Sequence, residues 1–86
     1  MKLKLLGSEA AMGTSTTNGS NFSGATNVRV FNSTGAAHLV SVETSANSLI
    51  GTLTVPGGAS VIVEKDQTDE IFAANAGVLG VGVAVR

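Results

Sequence analysis

Apolar and polar residues alternate with a period of two along most of this chain, the pattern of strands that bury one face. In Lys2–Leu6, Leu3 and Leu5 oppose Lys2 and Lys4. This predicts a short strand at a sheet edge, where the lysines discourage unwanted pairing. NVRVFN at 27–32 sets Val28 and Val30 on one face and Arg29 and Phe31 on the other. HLVSVET at 38–44 sets Val40 and Val42 inward, Ser41 and Glu43 outward. The organising stretch is Leu49 to Lys65, LIGTLTVPGGASVIVEK, read as two strands folded on a Pro-Gly-Gly turn. Pro56 presets φ at the first central position of that turn, and Gly57 supplies the positive φ that a type II turn needs next. The last strand, VLGVGVAVR, carries Leu79, Val81, Val83 and Val85 on one face and Gly80, Gly82 and Ala84 on the other. Strands are expected near 3–6, 27–32, 38–44, 48–55, 60–65 and 78–85.

The alternation lapses twice. DQTDEIFAANAG, from Asp66 to Gly77, places acids first and small helix formers after. Thr68 suits a helix N-cap, Asp69 and Glu70 the positive end of the dipole, and Gly77 the stop. One short helical turn is expected there, with Ile71 and Phe72 plugging one end of the core. The expected fold class is therefore all-β: a small antiparallel β-sandwich or flattened barrel of about six strands with one helical turn. Short loops favour consecutive antiparallel pairing, and the longer last connection lets the final strand return beside an early one, as in a Greek key.

The other lapse is Gly7 to Thr26, GSEAAMGTSTTNGSNFSGAT, which has no sustained apolar period. It divides the chain into residues 1–26, an N-terminal strand plus a flexible Gly/Ser/Thr-rich arm, and residues 27–86, the sandwich. Such a stretch is either a flexible tail or linker, or an arm that orders against a partner with Met12 and Phe22 as its anchors. Gly80 and Gly82 belong in the same argument. Glycine inside a strand costs backbone entropy and packs nothing. Two on one face, with Ala84, make a smooth strip over which something bulky can lie, Phe31, Phe72 or a neighbouring subunit; a bulge or bend in the strand is the alternative. Met12, Phe22, Gly80 and Gly82 are the candidate partner-binding residues.

Composition limits the core. Of 86 residues 43% are hydrophobic, but only three are aromatic, Phe22, Phe31 and Phe72. A domain of this size buries only about 60% of its unfolded surface. With no cysteine and one histidine, neither a disulfide nor an ordinary zinc site can supplement it. Association with other chains is the stabiliser left, so self-association into a homo-oligomer is expected.

Charge and motifs remove most chemistries. The net charge is −1, and Lys2, Lys4, Arg29, Lys65 and Arg86 are scattered, so neither nucleic acid nor an anionic membrane finds a basic face. The apolar patch in MKLKLLGSEAAMG is briefer than a secretory signal requires, and no run reaches membrane-spanning length. His38 and Glu43 sit at odd separation on one strand and face opposite ways, so they form no dyad. No catalytic residue is assigned and no enzyme is expected. Glu64, Asp66, Asp69 and Glu70 lack the alternate ligands and central glycine of a calcium loop, and read as a solvated turn, so no metal or cofactor is expected. The glycines at 57–58 and 77–82 are followed by no P-loop lysine and read as turn and strand glycines. Sugar-binding platforms normally use Trp or Tyr; neither occurs, so sugar binding would rest on Asn, Ser and Thr loops alone.

From Asn27 to the C-terminus the chain resembles short virion proteins of tailed bacteriophages, especially cyanophages and phages of marine bacteria. The features that carry the resemblance are NVRVFN, the turn Leu53 to Gly58, Val63-Glu64-Lys65 followed by Thr68-Asp69, Ile71 to Ala76, and the terminal strand Val81 to Val85. The resemblance implies a viral structural protein, foremost a capsid decoration (cement) protein. Such a protein binds the major capsid protein on the outer head in many copies and is assembled in the host cytoplasm. The absence of cysteine suits that reducing compartment. A neck or tail component, or a glycan-binding adhesion module, are the alternatives.

Overall fold

The computed structural model describes residues 2–86 as two antiparallel sheets with no helix longer than a short 3₁₀ turn. Eight strands occur in chain order: β1 (Leu3–Leu5), β2 (Ala10–Ala11), β3 (Asn27–Asn32), β4 (His38–Glu43), β5 (Leu49–Val55), β6 (Ser60–Glu64), β7 (Glu70–Ala73) and β8 (Val78–Val85). The larger sheet runs β1–β8–β3–β6, with β2 also on β8; the smaller runs β5–β4–β7. The protein is thus all-β and consistent with a β-sandwich. β8 does return beside the early strand β3, pairing Val28 with Gly82 and Asn32 with Val78.

Between the sheets lie Val28, Val30, Val40, Val55, Ile71, Ala73 and Val78, all fully buried. Alternation does what it promised in β3, where Val28, Val30 and Asn32 are buried and Arg29 and Phe31 only half-buried. The core is aliphatic, and Phe31 lies outside it with the Arg29 guanidinium 5.5 Å above its ring.

Several expectations are corrected. Leu49–Lys65 is not a hairpin. β5 pairs with β4 and β6 with β3, so the chain steps from one sheet to the other at Pro56–Ala59. The reason lies in Asn32, whose backbone N–H donates to Ala59 O at 3.0 Å and whose backbone O accepts from Gly58 N at 2.8 Å. Its side-chain Nδ2 donates to Val55 O at 2.9 Å. Polar groups of the corner that a hairpin would pair internally are bonded to β3 instead. The turn is also displaced by one residue: Ala59 N donates to Pro56 O, and the positive φ of 77° falls on Gly58, not Gly57. Gly57 serves closeness, since a Cβ there would lie 2.7 Å from Thr34 O and Gly35 C.

The helical turn at 68–77 is replaced by a tight turn and a strand. Asp69 N donates to Asp66 O, and Asp66 N to Asp69 Oδ2 at 3.1 Å, so the acids close a turn. β7 then pairs residue for residue with Val40–Glu43 and buries Ile71 and Ala73 completely. Burial of alternate residues outweighs the modest helix propensity of EIFAAN. Phe72, paired with Ser41, lies on the face opposite Ile71 and does not plug the core. With β2 and β7 added, the strands number eight among the described residues, against about six expected.

No domain boundary shows at residue 26. Met12 and Ala25 belong to the same core as Val28 and Val30. β1 and β2 lie along one edge of β8, Leu3 opposite Val85 and Ala10 opposite Gly80. The chain then crosses to the smaller sheet, where Ala73 N donates to Gly13 O and Ser20 pairs with Ile71 through bonds of 2.9 and 3.0 Å. Residues 10–20 therefore span the open side of the sandwich between β8 and β7. Polar backbone in that segment finds sheet edges to bond, which is what an irregular, Gly/Ser/Thr-rich stretch needs in order to pack.

Candidate interaction surface

The four candidate residues come together, and they do so inside the chain. Gly80 and Gly82 share the core face of β8 with Val78. A Cβ on Gly80 would lie 2.6 Å from Phe22 Cζ and 3.0 Å from Met12 Cε, and one on Gly82 2.8 Å from Ala25 Cβ. The bulky group over the glycine strip is thus Phe22 with Met12, and neither Phe31 nor Phe72. Phe22 reaches it from a left-handed turn: Phe22, Ser23 and Gly24 have φ of 53°, 57° and 77°. Positive φ is costly for an aromatic residue. The turn is held by Asn21 Oδ1 accepting from Ser23 N at 3.0 Å and Ser20 Oγ accepting from Phe22 N at 3.1 Å.

The outside is apolar at two places. Leu5 and Leu6 are 65% and 51% exposed and Val85 43%, at the corner where β1 meets the end of β8. Leu49 and Ile50 on β5 are 63% and 56% exposed, and Leu39 on β4 is 44% exposed. β5, β6 and the β1–β2 margin each have a neighbour on one side only among the described residues. Ile50 lies at an irregularity, because the pairing slips from Val42–Gly51 to Glu43–Leu49. An exposed strand margin with large aliphatics is a surface suited to association.

Charge is sparse around these margins. Arg29 and Glu9 form a half-exposed ion pair at 3.2 Å on the outer face of the larger sheet. Beside it a shallow depression of about 490 Å³ is lined by Leu3, Arg29, Ser60, Val61 and Ile62. A second depression, also about 490 Å³, is lined by Thr26, Ile50, Glu64, Lys65, Asp66 and Asp69. Burial pushes the Lys65 ammonium below its usual range, and Asp69 and Asp66 pull partly the other way. Among the described residues no three His, Cys, Asp or Glu side chains converge to hold a metal.

Three buried polar residues escaped the sequence reading: Asn32, Glu43 and Ser41, which was expected outward but is 5% exposed. Asn32 is fully buried and saturated: Nδ2 donates to Ala36 O and Val55 O, and Oδ1 accepts from Thr34 N and Oγ1. The signal was its phase, since Asn32 follows Val28 and Val30 on the inward face. Glu43 is only 1% exposed, because the turn Thr16–Asn18 lies over it and Thr16 Oγ1 donates to its Oε2. Nothing in the alternation marked it, for it occupies an outward position.

Compared with known protein families, curated proteins and solved structures, the chain matches none.

Proposed function

We propose that the protein is a virion structural component, foremost a capsid decoration protein that binds the outer head in many copies and stabilises the shell. The observation that supports this reading is the pair of exposed aliphatic groups, Leu5, Leu6 and Val85 on one side and Leu39, Leu49 and Ile50 on the other. The open strand margin beside Leu49 and Ile50 adds backbone groups to the same surface. Side chains of this kind gain by burial against protein, at about 25 cal/mol per Å² of apolar area removed from water. A ligand that binds only the assembled shell stabilises it by RT ln(1 + [L]/Kd) per site, and many sites add.

Removal from the particle tests the reading. Particles lacking the protein should release DNA at a lower temperature and at a lower external osmolarity than complete ones. Equal tolerance refutes cementing. Copy number per particle separates a head decoration from a neck or tail part, since the former is present in many more copies.

A further inference from the structure

Glu43 is the one acid among the described residues that the fold buries. Its Oε2 accepts from the Thr16 hydroxyl, and its Oε1 has no hydrogen-bond partner. Directly opposite, on β7, stands a second acid, Glu70. Both carboxylates turn toward Gly19. The position that a Cβ on Gly19 would take lies 3.0 Å from Glu43 Oε1, 3.0 Å from the Glu70 Cβ and 3.4 Å from Glu70 Oε1. Among the described residues the ion pair is Arg29–Glu9, so neither acid has a cationic side chain within reach.

This arrangement is unfavourable as it stands. Like charges on directly opposed strand residues repel. A buried carboxylate oxygen without a partner keeps its desolvation cost uncompensated. Both costs vanish if a cation sits between the two carboxylates. A side chain at position 19 would crowd both carboxylates, and glycine keeps the backbone clear of them.

We propose that Glu43 and Glu70 hold a calcium ion beneath the 16–19 turn. Calcium takes oxygen ligands only and tolerates irregular geometry, so two carboxylates can be completed by a hydroxyl, backbone carbonyls and solvent. Magnesium demands near-ideal octahedral geometry and fits a strand-and-turn site less well. The ion fastens the turn Thr16–Asn18 to the smaller sheet, while β2 fastens the same segment to the larger one. It thereby clamps the stretch that carries Met12 and Phe22 into the glycine strip. This site does not depend on the capsid reading.

The test is equilibrium dialysis of the full chain against about 1 mM calcium, in the range of weak extracellular-type sites, with thermal melts in calcium and in chelator. The expected result is a single bound ion per chain and a higher melting temperature in calcium than in chelator or magnesium. Glu43→Gln keeps the shape and the Thr16 bond but should abolish both effects. Glu70→Gln, at a more exposed position, should do the same and serves if Glu43→Gln fails to fold. Asp69→Asn should change neither. No binding, binding that survives Glu70→Gln, or binding lost in Asp69→Asn overturns the proposal. The first outcome would mean that a water serves Oε1, and the last that the ion lies in the Asp66–Asp69 turn.

Discussion

Replacing Gly82 by alanine puts the glycine strip to a quantitative test. The new Cβ would stand 2.8 Å from the Ala25 Cβ, against about 3.5–4.0 Å for relaxed carbon contacts. The Ala25 methyl cannot swing aside as a ring tip can, because Cβ is fixed to the backbone. The 22–25 turn must therefore retreat from β8 by most of an ångström, loosening Phe22 and Met12 over Gly80. Overpacking of this kind costs about 1–3 kcal/mol. The reduced freedom of the unfolded chain returns about 0.4–1 kcal/mol, leaving a net loss of roughly 1–2 kcal/mol. For a domain of this size each kcal/mol moves Tm by about 4–8 °C, so a fall of roughly 4–16 °C is expected in a far-ultraviolet CD melt. Gly51→Ala is the control, since nothing lies within 4 Å of a Cβ there and the position is exposed. It should be neutral or slightly stabilising. Ala25→Gly removes the opposing methyl, so in a double-mutant cycle Gly82→Ala and Ala25→Gly should couple favourably by about 1–2 kcal/mol. A Gly82→Ala protein as stable as Gly51→Ala, or a coupling near zero, would refute the packing argument.

Met12→Ala should lower stability by about 2–5 kcal/mol in a urea melt, because Met12 is buried against Gly80; deletion of residues 7–26 should cost more still and expose the core to a hydrophobic dye. Asn32→Asp replaces the Nδ2 donor with an acceptor facing Ala36 O and Val55 O, and should cost about 2–4 kcal/mol by chemical denaturation. Lys65 has a depressed folded pKa, so the unfolded chain binds more protons and stability should rise between that value and the ordinary lysine value of about 10.4. No tyrosine or cysteine titrates in that alkaline window, and Lys65→Met should remove this component of the rise when melts are compared across pH. Leu49→Lys with Ile50→Lys should leave Tm nearly unchanged and abolish binding to particles lacking the protein, because both side chains are already more than half exposed; retained binding would move the contact to the Leu5–Leu6–Val85 corner.

Local pattern by itself determined that this chain is all-β, where most of its strands run, and that the core is aliphatic and thin. A period of two forces alternate side chains to opposite faces, so the inward positions of Val28, Val30 and Val40 were legible residue by residue. So was the anomaly of Gly80 and Gly82, which wanted a reason, either a bulky group over the strip or a bulge in the strand.

Which strands pair, and what fills the strip, only the tertiary structure decided. The steps at Pro56–Ala59 and Asp66–Asp69 look like a hairpin turn and a helix start because turn chemistry is local. Whether a turn joins two strands edge to edge or carries the chain between sheets depends on Asn32, a residue distant in sequence that takes up the corner's hydrogen bonds. EIFAAN has a weak helix preference that the vacant edge of β4 overrides by burying Ile71 and Ala73. The segment before Asn27 was illegible for the same reason. Its backbone bonds go to β7 and β8, and its two anchors, Met12 and Phe22, pack on a glycine strip far along the chain, at Gly80. Glu43 too is buried by a turn and not by its own strand, so no window around it could have shown a carboxylate shut in beside another.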